Sequence, residues 1–219
     1  RKVQMGEWFE GGRRRRVSGD RSTECGGGGA EAPVGAGYVR TFTELVTSGW
    51  PERDVRWINK GIGGNKVSDL RERWRDDVLF HKPDRLSVKI GINDLHSSLR
   101  GAEGGVDPVL FEKLYDEILD MTHAELGCPV VLLSPFYISN DTSGQTFRSS
   151  VLELLPQYIE AVSRMSDKYD TLMVPLHDVF QEQLAHREAD TFCPEPVHPN
   201  HTGHTIIAEN LLEVLTEAG

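Results

Sequence analysis

The chain has 219 residues, 38% of them apolar and 26% charged, which suits one soluble domain with room for a small second one. A chain of this length buries enough surface to need no disulfide or metal staple, and no run approaches the ~20 apolar residues of a membrane-spanning helix. The formal net charge of −10 is uneven, because residues 1–16 hold six basic side chains against Glu7 and Glu10 and leave the rest more acidic still. An acidic body argues against a nucleic-acid-binding domain, whose footprint is a basic face. The Arg13–Arg16 run reads as a solvated or disordered end, with a basic arm as the other reading.

Cys25, Cys128 and Cys193 are odd in number and widely spaced. They suggest neither a disulfide framework nor a metal-binding pair, and point to a reduced, cytoplasmic protein. The sequence contains no apolar signal-peptide core, and because it opens on Arg1 rather than Met, residues before it are expected.

In chain order, residues 24–37 are glycine-rich and mark a loop. Tyr38, Val39, Phe42, Leu45 and Val46 then recur at helical spacing, and the helix stops near Gly49-Trp50-Pro51. Val55 to Asn59 alternates as a strand, and Gly61-Ile62-Gly63-Gly64-Asn65 is the turn after it. Val67, Leu70, Trp74 and Val78 describe a second helix, and Leu86, Val88 and Ile90 a short strand running into a polar turn, Gly91-Ile92-Asn93-Asp94. Asp107-Pro108 opens a helix that uses Leu110, Leu114, Ile118 and Met121. Pro129 to Leu133 is a continuous apolar strand, as in a parallel sheet covered on both faces. A helix over Val151 to Tyr169 follows, with Pro156 expected to kink it or delay its start. The chain closes with a strand over Leu172 to Leu176 and a helix from about Gly203 to Glu217. Strand and helix alternate throughout, so the class is α/β with a mainly parallel sheet and a single domain over residues 1–219, of which 1–16 are expected to be irregular.

In such sheets the ligand crevice lies at the carboxyl ends of the strands. Polar turns fall there: Gly61–Asn65, Gly91–Asp94 and Ser134-Pro135. Four segments combine into a site, namely Gly19-Asp20-Arg21-Ser22-Thr23-Glu24, Gly61–Asn65, Gly91–Asp94 and Glu195-Pro196-Val197-His198-Pro199-Asn200. Singly each is ordinary. In this order they resemble the SGNH (GDSL-like) hydrolase family, from about residue 17 onward and most closely in INKGIGGNKVSDLRERW, VKIGINDL and VHPNHTGHTIIA.

The resemblance implies a flavodoxin-like three-layer α/β/α sandwich and a serine ester hydrolase acting on a small-molecule ester, with no cofactor and no metal. Short-chain acyl esters and acetylated sugars are the family's common substrates. By motif, His198 is implied as the general base, Glu195 as the acid that orients it, and Gly64 and Asn93 as oxyanion donors. These residue types suit acyl transfer, because a backbone N–H left open by glycine and a neutral side-chain amide converge on one developing negative oxygen. Phe136, Tyr137 and Phe192 are candidates for an acyl pocket, or for plain packing.

Glu195, His198, His201 and His204 also fall at intervals of three and invite a metal-cluster reading. Helical spacing of three turns successive side chains apart, and Pro199 favours an extended turn at His198. No metal is assigned, and His201 and His204 are expected on the surface of the last helix.

Two departures from the family pattern stand out. Glu195 occupies the family's Asp position, so its extra methylene must fold back to reach the imidazole. At the nucleophile, an ungapped reading places Arg21, which cannot lose its proton, and Ser22 one place later. Arg14-Arg15-Arg16-Val17-Ser18 also displaces the normally apolar first strand, where unpaired guanidinium groups carry a large desolvation cost. Either the turn presents Ser22 as the nucleophile, or the chain has lost hydrolysis and binds a carbohydrate or acyl ligand.

Overall fold

The computed structural model describes residues 35–217 and, as backbone, the strand Arg15–Gly19. Ser22, Arg21, Cys25 and most of the glycine-rich loop lie outside the described residues, as do Arg13 and Arg14 of the basic run. The strands are β1 (Arg15–Gly19), β2 (Val55–Asn59), β3 (Arg85–Lys89), β4 (Val130–Leu133) and β5 (Leu172–Val174). The helices are α1 (Tyr38–Gly49), α2 (Val67–Asp77), α3 (Ile92–Leu99), α4 (Pro108–Glu125), α5 (Phe147–Tyr169), α6 (Leu176–Leu184) and α7 (His201–Glu217). The strands form one sheet in the order β2-β1-β3-β4-β5, every neighbouring pair parallel.

The apolar run of β4 explains the layering. Successive side chains of a strand point to opposite faces, so Val130 and Leu132 pack with Leu70 and Trp74 of α2, Phe111 and Ile118 of α4 and Leu155 of α5. Val131 and Leu133 face the other way, onto Tyr38 and Phe42 of α1, Phe180 of α6 and Ile207 and Leu211 of α7. The result is a three-layer α/β/α sandwich with helices on both faces of a parallel sheet. No helix among the described residues is long and apolar enough to cross a membrane.

Several local expectations change. Residues 15–19 do form a strand, hydrogen-bonded to β2 along its whole length and to β3 at Val17 and Ser18. The backbone ladder needs no particular side chain, so Arg15 and Arg16 belong to the sheet rather than to an irregular end. Gly91–Asp94 is not a free turn but the start of α3, whose first backbone bond runs from the Leu95 N–H to the Gly91 carbonyl at 3.0 Å.

The helix expected from Val151 begins at Phe147, because Thr146 and Ser149 cap its first turn reciprocally. Pro156 lies within it on the exposed face, where water takes the place of the lost backbone bond. β5 stops at Val174, and Leu176 instead begins α6, turning Leu176 and Phe180 inward.

Candidate active site

The order β2-β1-β3 puts the crevice where the chain leaves β1 and β3, the switch point of an open parallel sheet. Beyond β2 the chain turns at Gly61–Asn65. The Asn59 side chain accepts the Gly61 N–H at 3.1 Å, and the Asn65 N–H reaches the Ile62 carbonyl at 3.3 Å. Arg73, one helix away, pins both ends of this turn, donating to the Lys60 carbonyl at 2.7 Å and to Asn65 Oδ1 at 3.1 Å. Gly64 within it has φ +83°, a conformation L side chains rarely adopt, and the space a Cβ would fill is open. Its backbone is therefore approachable from outside.

Beyond β3, Gly91 (φ +129°) redirects the chain into α3, and a Cβ there would come within 3.2 Å of Pro135 Cγ and 3.3 Å of Phe111 Cζ. Asn93 in the first turn of α3 donates Nδ2–H to the Asn65 carbonyl at 3.1 Å. An amide nitrogen carries two hydrogens, so one holds Asn93 against the residue next to Gly64. The two sequence-predicted oxyanion donors are thus neighbours in space. Asp94 beside them is fully buried; its Oδ1 accepts the Val67 N–H at 2.9 Å, while Oδ2 has no partner among the described residues. Burial outweighs the Val67 N–H and the Lys66 charge and raises the Asp94 carboxyl to about 7.

His198 lies before α7, as Pro199 implied. Glu195 to His198 is a tight turn in which the His198 N–H bonds the Glu195 carbonyl at 3.1 Å. The turn folds the longer Glu195 side chain back, so that Oε1 sits 2.6 Å from His198 Nδ1. The same loop is tied to the β4 side by the Ile138 N–H, which reaches the Pro196 carbonyl at 2.9 Å. It is tied to α7 by Asn200, whose Oδ1 accepts the Gly203 N–H at 3.1 Å and whose N–H reaches the Phe192 carbonyl at 2.9 Å.

The other two histidines separate. His201 is exposed, but His204 is buried, contrary to the surface position expected for it. Its ring fills the space that Gly37 leaves at the start of α1, where a Cβ would sit 3.4 Å from His204 Cε1. Burial, then Lys89 and His201, lowers it to about 4. Among the described residues no group of three or more His, Cys, Asp or Glu is placed to hold a metal ion. Phe136 and Phe192 pack into the α1–α6–α7 core, Phe136 with its ring 4.9 Å from Phe180.

Tyr137 behaves differently. Its ring meets His96 of α3 edge-on at 6.0 Å, and His96 in turn lies 5.5 Å from the ring of Phe147 at the start of α5. Burial, then the charges of Arg100 and His198, lowers His96 to about 4. Sequence reading missed Arg73, His96 and Phe147 and gave Asp94 no role beyond its place in the Gly91–Asp94 segment; only the helical spacing of Ile92, Leu95, His96 and Leu99 hinted at α3.

The profile of the GDSL-like Lipase/Acylhydrolase family matches residues 17–206. An acetylxylan esterase from Geobacillus stearothermophilus is 32% identical over 209 residues, covering 89% of this chain and 90% of that protein. The chain belongs to the GDSL-like lipase/acylhydrolase family and is a carboxylic ester hydrolase.

Solved structures agree. LAE5, an alpha/beta hydrolase enzyme from the metagenome of Lake Arreo, superimposes with a TM-score of 0.82 at 27% identity, covering 98% of this chain and 100% of that one. The Geobacillus acetylxylan esterase itself gives a TM-score of 0.80 at 28% identity, covering 98% of this chain and 96% of that one. Catalytic mutants of that esterase replace a serine, an aspartate and a histidine three residues after the aspartate.

Proposed function

We propose that residues 1–219 act as a single-domain serine esterase that removes acetyl groups from carbohydrates. The observation that carries the reading is the 2.6 Å contact between Glu195 Oε1 and His198 Nδ1 immediately before α7. It has the spacing of the aspartate and histidine replaced in the Geobacillus esterase mutants. A hydrogen on Nδ1, facing Glu195, makes Nε2 the basic nitrogen of the ring. Ser22 follows the last residue of β1 by three positions, a tether of about 11 Å at most, and β1 ends beside β3 at the crevice.

In this mechanism Ser22 Oγ attacks the acetyl carbonyl while His198 Nε2 takes its proton. The oxyanion is met by the N–H of Gly64, the amide of Asn93 and the serine's own N–H. Collapse breaks the ester bond, and the proton passes from His198 to the departing sugar oxygen. Water, deprotonated by His198, then frees acetate from Ser22. Glu195 accepts from Nδ1–H and stabilises the imidazolium. Neither step calls for a cofactor. Cys128 and Cys193, with no disulfide between them, suit a cytoplasmic enzyme.

Arg21 favours one competing reading, in which the pocket binds an acetylated sugar without cleaving it. The two separate on turnover of acetylated xylo-oligosaccharide together with labelling by a fluorophosphonate. Acetate release, an adduct mapped to Ser22, and loss of both in Ser22→Ala and His198→Ala support the esterase. Binding without turnover or adduct overturns it.

A further inference from the structure

Proton return decides where the alcohol half of the ester must sit. The group that accepts the nucleophile's proton hands it to the leaving oxygen, so the leaving alcohol lies on the His198 flank of the crevice. That flank is built from three elements. Tyr137 belongs to the segment after β4 that is bonded to the Glu195–His198 turn through Ile138 and Pro196 at 2.9 Å. His96 projects from α3 and meets the Tyr137 ring edge-on at 6.0 Å. Phe147 stands at the first position of α5, 5.5 Å from the His96 ring, with the Arg100 guanidinium 5.3 Å from its own ring centre.

Two features of this cluster are unusual for packing. Phe147 is 42% exposed although the Tyr137 ring is buried and His96 is half-buried. His96 Nε2 is buried without a hydrogen-bond partner among the described residues, and at neutral pH its ring is uncharged. A partly exposed aromatic ring, a guanidinium over one of its faces and an unsatisfied imidazole nitrogen combine an apolar surface with polar groups. A sugar ring has the matching chemistry, with an axial C–H face for the aromatic ring and hydroxyls that accept from Arg100 and exchange hydrogen bonds with His96. A plain alkyl alcohol would leave those polar groups unused.

The geometry points to Phe147, Arg100 and His96 as the subsite for the sugar ring that carries the ester. This rests on the role proposed above for His198, and it adds the leaving group's place and the residues that select it.

The test uses xylobiose, the deacetylated product type, titrated into the intact protein and followed by NMR, so that no turnover is required. Phe147→Ala is expected to weaken binding at least tenfold and Arg100→Ala severalfold. Phe80→Ala removes an exposed aromatic at the opposite end of β3 and is expected to change nothing. Equal affinity in wild type and Phe147→Ala, or no binding to wild type, overturns the subsite. Failure of the esterase reading looks different, as Phe147-dependent xylobiose binding without acetate release from any acetylated xylo-oligosaccharide.

Discussion

Asp94 Oδ1 accepts the backbone N–H of Val67 at 2.9 Å, joining the first turn of α3 to the first turn of α2. Asn93 makes the parallel link from the same turn of α3, to the Asn65 carbonyl at 3.1 Å. Two adjacent side chains thus fix the Gly64 turn against the end of β3, and one of them is a carboxyl held out of water. The distance between Gly64 and Asn93, the proposed oxyanion donors, depends on that pair.

The Asp94 carboxyl has a consequence for pH. Burial raises it from 3.8 to about 7, so in that window the folded chain keeps a proton the unfolded chain has lost, and its contribution to stability declines as pH rises. His204, lowered from 6.5 to about 4, acts oppositely: its contribution is present above 6.5 and is lost as pH falls toward 4. His96, also lowered to about 4, adds to the second direction. A fully engaged proton changes stability by at most about 1.4 kcal/mol per pH unit. Asp94→Asn keeps an acceptor for Val67 and removes only the opposing slope. Urea unfolding between about pH 4.5 and 6.5 is expected to show a steeper loss on acidification in the variant; parallel profiles would refute this assignment.

Asn93→Ala removes one proposed oxyanion donor and also the bond to Asn65. The expected loss is about 10²–10³ in kcat with little change in KM. Asn93→Asp keeps the size but presents no amide hydrogen and is expected to be no better. A variant with kcat near wild type would place the oxyanion elsewhere.

Glu195 is 61% exposed while His198 is 26% exposed, so the pair works in contact with water. Glu195→Gln is expected to lower kcat by about 10–100-fold, less than a buried partner would. His198→Ala should cost at least about a thousandfold. Stopped assays of acetate release on both variants give the ratio, and equal losses would contradict the subordinate role of Glu195.

Gly203 lies in the first turn of α7, where a Cβ would stand 2.5 Å from the Phe192 carbonyl oxygen and 2.8 Å from Pro199 Cβ. Gly203→Ala must push the helix off the Phe192–Pro199 loop. A destabilisation of about 1–3 kcal/mol in thermal unfolding is expected, with a fall in kcat because His198 rides on that loop. An unchanged melting temperature would mean the loop yields freely.

Most elements were legible because periodicity reports which side of a segment is buried. Leu86 and Val88 alternate in both the sequence and the packed core, whereas the face read for α4 from Leu110, Leu114, Ile118 and Met121 is shifted: Phe111, Tyr115, Ile118 and Leu119 are buried and Leu110 is exposed. α3 and α6 escaped because each is short and opens with residues typical of turns, Gly91 and Pro175. His204 escaped because its burial depends on Gly37, far off in the chain. The motifs named Gly64, Asn93, Glu195 and His198, but no spacing announces that Arg73 braces the Gly64 turn or that Phe147 stands beside His96.

By itself, the sequence determined the alternation of strand and helix, the family, and the residue types available for acyl transfer, since these are local patterns or ordered motifs. Tertiary structure alone decided that Asn93 lies against the turn of Gly64, that Glu195 folds back onto His198, and that Tyr137 and Phe147 border His96. The first and last of these join positions dozens of residues apart, with geometry set by how α2, α3 and α5 pack on one sheet, while the Glu195–His198 contact depends on the turn that folds one side chain onto the other. The charge asymmetry of the first sixteen residues ends differently from its first reading: Arg15 and Arg16 lie in β1, the strand that leads to the crevice.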